Sequence, residues 1–295
     1  MRNNNTLSRV FDAFNGKKAS YIVRTSYEKL PYSLNGKDVD LLVAREDFLI
    51  VREILKKEGF IFYPFTEPHY LYYFYDSKLG LIEIDILLAS KIPKRKKYRN
   101  FYILKEEKKY NYNKSFPYKL KTGIKRKLHF LFKGKLVCFI GPDGSGKTTS
   151  MNAVFDSLKN FPVRKERMLF GALKPSPIQR ALSRIGSIIK VYMNIFSGKL
   201  TLTDRYLYLT FRKSHPIFRK IFRAIAPKPN IVFVMKASYS LLKKRRKDDV
   251  LDEKTVNDLY RLFEKIKNAE WIDTSKNYKK NIDFMIKRVL DLYRR

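Results

Sequence analysis

Leu136-Val-Cys-Phe-Ile-Gly141-Pro-Asp-Gly-Ser-Gly-Lys147-Thr148-Thr149 decides how the second half of the chain folds. Five apolar residues in a row, 136–140, read as a strand buried on both faces. The next eight residues fit G-x-x-x-x-G-K-[ST], and an apolar-periodic helix follows through Leu158. Gly141, Gly144 and Gly146 let the backbone wrap closely round phosphate groups. Asp143, Ser145 and Thr149 complete the loop and helix start that would hold a nucleotide. The loop N–H groups and the helix N-terminus face the negative charge. Lys147 is placed to reach the β- and γ-phosphates, and Thr148 to ligate Mg²⁺. ATP with Mg²⁺ is the expected cofactor pair.

Working outward, Leu200–Thr203 and Ile231–Met235 read as further strands, and Trp271–Asp273 as a short last one. Strands separated by helical stretches imply an α/β unit, a parallel sheet flanked by helices. Asp204-Arg205-Tyr206 stands at the end of the second strand. A strand-end carboxylate and guanidinium facing the loop suit phosphoryl transfer. The alternative role for Asp204 is helix capping.

Gly141-Pro-Asp-Gly-Ser-Gly-Lys-Thr-Thr149 with Asp204-Arg205-Tyr206 resembles the thymidylate kinases and related nucleoside-monophosphate kinases. The resemblance covers roughly residues 134–295. It implies a nucleoside-monophosphate-kinase-like sheet, phosphate transfer from ATP, and catalytic roles for Lys147, Asp204 and Arg205, with Asp204 near the metal and acceptor and Arg205 against the transferred phosphate. Lys228-Pro-Asn-Ile-Val-Phe-Val-Met235 is similar to that family's Pro-Asp-then-strand segment, and Arg245 in Lys243–Lys247 falls at the spacing of its arginine before the lid. A solvated helix face is the other reading of Lys243–Lys247. The acceptor segments differ. Glu166-Arg-Met-Leu-Phe-Gly171, Lys174-Pro-Ser-Pro177 and Leu207-Tyr-Leu-Thr-Phe-Arg-Lys-Ser214 stand where the family holds thymidylate. The resemblance therefore implies an ATP-dependent kinase with an acceptor other than thymidylate.

The N-terminal part reads as α+β. Tyr21–Thr25 and Asp38–Val43 are expected strands and Arg45–Glu58 an expected helix. Tyr70–Tyr75 and Leu81–Leu88 are expected as a hairpin through Asp76–Gly80. Alternation puts Asp38 and Asp40 on one face of a strand and sends Val39 and Leu41 to a core. Asp85 lies on the polar face of Ile82–Leu88. Three carboxylates gathered this way can hold Mg²⁺ ions around a nucleotide's phosphates. The pattern resembles the polymerase-beta-type nucleotidyltransferases, within them a branch found near cell-surface polysaccharide genes. That likeness implies a sugar or glycolipid acceptor for the kinase half. Arg24-Thr25-Ser26 occupies the place of the Gly-Ser pair usual in those proteins. The lone histidines His69, His129 and His215 have no ligand-like spacing.

Residues 1–92 and 134–295 are thus the expected domains. Residues 93–133, dense in Lys, Tyr and Asn, are the expected connector. At 295 residues, with 44% hydrophobic and 15% aromatic content, the chain is long and apolar enough for two cores. The formal net charge of +35 suits polyanionic partners, nucleic acid or an anionic membrane surface, or else reflects a Lys- and Asn-rich composition. The single cysteine, Cys138, excludes a disulfide framework and a cysteine-based zinc site within one chain. No run approaches a membrane span or secretory signal, so a cytoplasmic protein, in part at the inner membrane surface, is expected.

Ile178–Phe196 and Pro216–Ala226 are basic and amphipathic. The first places Ile178, Leu182, Ile185, Ile189, Tyr192 and Phe196 on one stripe, with Arg180, Arg184 and Lys190 off it. They read either as core-facing helices or as a surface resting on anionic membrane. The rival functions are a polynucleotide kinase or nucleotidyltransferase acting on nucleic-acid ends, a non-catalytic nucleotide-gated binding protein, and a true thymidylate kinase.

Overall fold

The computed structural model describes residues 5–24, 27–34, 38–66, 69–92, 94–104, 134–167, 177–204, 224–246 and 251–294. The chain divides into two compact units, residues 1–129 with 293–295, and residues 130–292.

The first unit is built on one seven-stranded mixed sheet. Its helices are α1 (Thr6–Gly16) and α2 (Phe48–Lys57), the latter entered through a 3-10 turn at Arg45–Asp47. Its strands are β1 (Tyr21–Val23), β2 (Val39–Ala44), β3 (Ile61–Thr66), β4 (His69–Asp76), β5 (Gly80–Ala89), β6 (Arg95–Tyr98) and β7 (Phe101–Leu104). They lie in the order β3-β4-β5-β2-β1-β7-β6. α1 forms because Leu7, Val10, Phe11 and Phe14 repeat at helical spacing and are all buried. Asn5 caps it, its side chain accepting from the Ser8 N–H at 2.8 Å. That stripe, with Val51 and Leu55 of α2, packs on Val39, Leu41, Val43, Ile82, Ile84 and Ile86. Each such side chain is worth about 1.5–3 kcal/mol on burial. The opposite sheet face carries a small apolar cluster, Ile22, Leu42, Leu87 and Ala89, and the carboxylates described below.

The second unit holds an all-parallel five-stranded sheet. Its strands are β8 (Lys135–Ile140), β9 (Val163–Arg167), β10 (Leu200–Asp204), β11 (Ile231–Lys236) and β12 (Ala269–Asp273), in the order β12-β11-β8-β10-β9. Its helices are α3 (Lys147–Ser157), α4 (Pro177–Phe196), α5 (Tyr239–Arg245), α6 (Glu253–Glu264) and α7 (Tyr278–Asp291). Leu136, Cys138 and Ile140 pack with Val232 and Val234 against Ile188 and Val191 of α4 and Leu259 and Phe263 of α6. α3 packs on α7, β8 and β10. The parallel sheet flanked by helices is the expected architecture.

The boundary expected at residue 92 is corrected. β6 and β7 pair antiparallel, and β7 pairs with β1 through Val23 and Ile103. Residues 95–104 therefore complete the N-terminal sheet, because the exposed edge of β1 needs a hydrogen-bonding partner. The rest of the expected connector, 105–133, lies outside the described residues. Among those described, no helix is long and apolar enough to cross a membrane.

Candidate functional site

Chain geometry gathers the phosphate-loop residues at the C-terminal end of the parallel sheet, where open α/β sheets place their ligands. β8 ends at Ile140 and the loop turns back into α3, with Gly146 left-handed at φ 90° in the N-cap position. Gly141 has φ 151°, and a Cβ there would stand 2.6 Å from the Met235 carbonyl oxygen and 2.6 Å from Ser145 Oγ. No other residue fits that position without moving β11. Because Gly146 provides no side-chain cap, the first N–H groups of α3 are left for an anion.

Lys147 opens α3 and is buried. Its Nζ donates to the Pro142 carbonyl at 2.8 Å and to Asp143 Oδ1 at 3.2 Å. Thr148 Oγ1 donates to Asp204 Oδ2 at 2.6 Å. Asp204 reaches this point because β10 lies directly beside β8, in parallel register with Asp204 opposite Phe139. It is 2% exposed, and its Oδ1 is buried without a hydrogen-bond partner, as is Ser145 Oγ. Strand, loop and neighbouring strand end thus bring Lys147, Thr148 and Asp204 together. Arg205 lies outside the described residues.

A cavity of about 480 Å³ opens over the loop, lined by Asp143, Gly144, Gly146 and Lys147–Ser150 together with Arg245, Arg246, Thr274 and Tyr278. Arg245 was expected as a catalytic residue, at the spacing of the arginine before the lid. In this structure its guanidinium donates to the Gly144 carbonyl at 3.1 Å, to the Thr274 carbonyl at 3.2 Å and to Thr274 Oγ1 at 3.4 Å. It therefore ties the phosphate loop to the segment after β12. Thr274 and Tyr278 were not singled out from sequence. The signal was available: they follow the C-terminal end of the last expected strand, the edge at which such sheets bind ligands.

In the N-terminal unit, β2 and β5 pair in parallel and set Asp40 opposite Asp85. Burial pushes the Asp85 carboxyl above its ordinary value. His69 opposes this, and the charges of Asp40 and Asp38 add to it. Burial raises Glu83 to about 7 against its hydrogen bond from Tyr73 Oη, with Asp38, Asp85 and Asp40 pushing the same way as burial. Both Asp85 oxygens face His69 Nδ1, at 2.7 and 2.9 Å. Among the described residues, no three His, Cys, Asp or Glu side chains are placed to hold a metal ion. Asp38 and Asp40, expected with Asp85 as metal ligands, lie near Asp85, and in this structure Asp85 is paired with His69. His69, given no role from its spacing in sequence, pairs with Leu87 across the hairpin and so lies diagonal to Asp85.

A sequence comparison with curated proteins gives no match. Among solved structures, the thymidylate kinase from Ehrlichia chaffeensis aligns at 17% identity and a TM-score of 0.39, covering 54% of this chain and 99% of that one. A likeness of that degree says nothing about activity. The model of the ATPase family associated with various cellular activities (AAA) matches residues 137–288, from the phosphate-loop strand into the last helix. With that match spanning just over half of its length, the chain belongs to the AAA family of P-loop ATPases.

Proposed function

We propose that the C-terminal unit binds ATP with Mg²⁺ at the phosphate loop and transfers the γ-phosphate to an acceptor other than thymidylate. The observation that carries this reading is the buried Asp204, satisfied at Oδ2 by Thr148 and orphaned at Oδ1. Leaving a buried polar atom unpaired costs about 1–3 kcal/mol, more for a charged one. A divalent cation held by Thr148 Oγ1 and Asp204 offsets that cost. When bound, Mg²⁺ supplies neutralisation of charge on the phosphate oxygens. Lys147 exchanges the Pro142 and Asp143 oxygens for phosphate oxygens, a stronger, charge-assisted partnership. The loop N–H groups and the first turn of α3 fix the same anion. Arg245 holds the loop in shape while this happens.

The acceptor reading rests on the departures at residues 166–177 and 207–214, and on the resemblance of the N-terminal unit to nucleotidyltransferases found near polysaccharide genes. A sugar or glycolipid is the acceptor we favour. A second reading, hydrolysis of ATP to drive or gate another event, is favoured by the family match itself. No transfer activity is proposed for the N-terminal unit, whose Asp85 is already engaged by His69.

The test uses γ-labelled ATP and Mg²⁺ with thymidylate, short RNA, and aqueous and lipid extracts of cells that make the protein. Label in a glycan or lipid fraction, lost in a folded Lys147→Ala variant, is the expected result. Label released only as inorganic phosphate selects the hydrolytic reading. Label in thymidylate or RNA, or full transfer by Lys147→Ala, refutes the proposal.

A further inference from the structure

α4 is apolar on two neighbouring stripes, and the core uses one of them. Ile188 and Val191 are buried on the sheet, with Tyr192 and Ile195 packed beside them. One stripe of about 100° is what a sheet-flanking helix needs. Ile185, Ile189, Met193 and Phe196 form the second. At roughly 100° per residue they fall within about 80° of arc. They are 41%, 52%, 65% and 49% exposed. The patch extends sideways. Tyr192 Oη donates to the Ile225 carbonyl at 2.8 Å, Tyr192 stacks on Phe196 with ring centroids 5.8 Å apart, and Ile225 is itself 43% exposed.

The sequence on either side of this patch is one-sided in charge. Residues 167–247 contain nineteen Lys and Arg and a single acidic residue, Asp204. Asp204 is itself buried at the phosphate site, away from the exposed face of α4. Lys190 is exposed and lies one residue on from Ile189, at the flank of the stripe.

We propose that the exposed face of α4, centred on Ile189 and Met193, docks on an anionic lipid bilayer. The aliphatic side chains enter the boundary between headgroups and acyl chains, and the flanking cations meet the headgroup charge. Apolar burial combined with attraction to anionic lipid is the physics of interfacial helices. A second copy of the chain fits the same face poorly, because it brings a net charge of +35 against +35. Nucleic acid would use the cations but has little use for Ile and Met, since single strands are held by stacking on aromatic rings. The inference is independent of which acceptor the kinase uses.

The experiment is co-sedimentation of the full chain with vesicles of phosphatidylcholine, with or without phosphatidylglycerol. Wild type is compared with Ile189→Ser/Met193→Ser. Both positions are solvent-facing, and unchanged ATP affinity serves as the check that the variant is folded. The expected result is binding to the anionic vesicles alone, weakened about tenfold or more in the double variant. Failure of the wild type to bind anionic vesicles overturns the proposal, as does equal binding by the two proteins, which would mean that charge elsewhere does the work. It is also overturned if wild type alone is a dimer and the variant a monomer, since a second copy then covers the face. Tighter binding to a short RNA than to vesicles, lost in the variant, would assign the surface to nucleic acid.

Discussion

Two places in the sheets of this molecule carry carboxylates that the sequence marks out for metal and phosphate, and the fold treats them differently. At the end of β10, Asp204 is buried, bonded to Thr148 through one oxygen and left unsatisfied at the other, beneath a loop of N–H groups. On β2 and β5, Asp40 and Asp85 stand opposite each other, but Asp85 turns both oxygens to His69 and Glu83 accepts from Tyr73. The first arrangement is incomplete in a way a cation and a phosphate would complete. The second has found partners within the protein. A shared face is therefore weak evidence for a metal site. Convergence that leaves buried polar atoms unmatched is stronger evidence.

The comparison breaks most sharply on Lys147 and Asp204. Lys147→Ala should lower ATP turnover by about 10²–10³-fold, as removal of one preorganised transition-state donor does elsewhere, measured as steady-state phosphate release or transfer. Asp40→Asn in the other unit should leave turnover unchanged in the same assay, and a comparable loss there would merge the two sites into one account. Asp204→Asn keeps the shape and the Thr148 contact but removes the charge. It should cost about 10²-fold in turnover while leaving the melting temperature level or higher, because an uncompensated buried carboxylate is gone.

Much of this contrast was legible in the residues, and the reasons are physical. The loop motif combines three glycines, a lysine and a threonine after an apolar run, and each residue type answers a separate steric or electrostatic demand. Few other folds meet all of them. The placement of Asp204 beside the loop was expected, but the direct pairing of β10 with β8 that brings it to Thr148 could not be read from the residues, because parallel pairing is non-local. β9, with four charged residues in Val163-Arg-Lys-Glu-Arg167, and β6, with Arg95-Lys-Lys-Tyr98, escaped notice because edge strands carry charge rather than alternating apolar residues. β3 was hidden by Pro64, which an edge strand tolerates. The His69–Asp85 contact depends on hairpin register. The turn can be placed from sequence, but the register that sets His69 opposite Leu87 and diagonal to Asp85 is fixed by pairing along the whole hairpin.

Smaller effects sharpen the same comparison. Gly141→Ala should lower the melting temperature by about 5 °C through left-handed strain and the approach to the Met235 carbonyl, read by thermal unfolding. Arg245→Ala should raise KM for ATP about 3–10-fold with little change in kcat, since loss of ground-state positioning is the signature of a clamp. A dominant fall in kcat would restore Arg245 to the chemistry.

The weakest predicted effect concerns Glu83. Its folded pKa of about 7 lies above the ordinary carboxylate value near 4.5. Between these values the folded state holds more protons than the unfolded one, so stability is full below about pH 4.5 and is lost as pH rises through 7. Glu83→Gln should flatten the fall in melting temperature between pH 5 and pH 8 by a few degrees. An unchanged slope would mean that Glu83 is solvated like an ordinary carboxylate.

The most direct measurement is ATP binding by titration calorimetry, with and without Mg²⁺, to wild type and Asp204→Asn. The account predicts that Mg²⁺ tightens ATP binding to wild type at least tenfold and that Asp204→Asn loses most of that gain while keeping its Mg²⁺-free affinity. Equal Mg²⁺ dependence in the two proteins would show that the Thr148–Asp204 pair does not hold the cation, and would contradict the account.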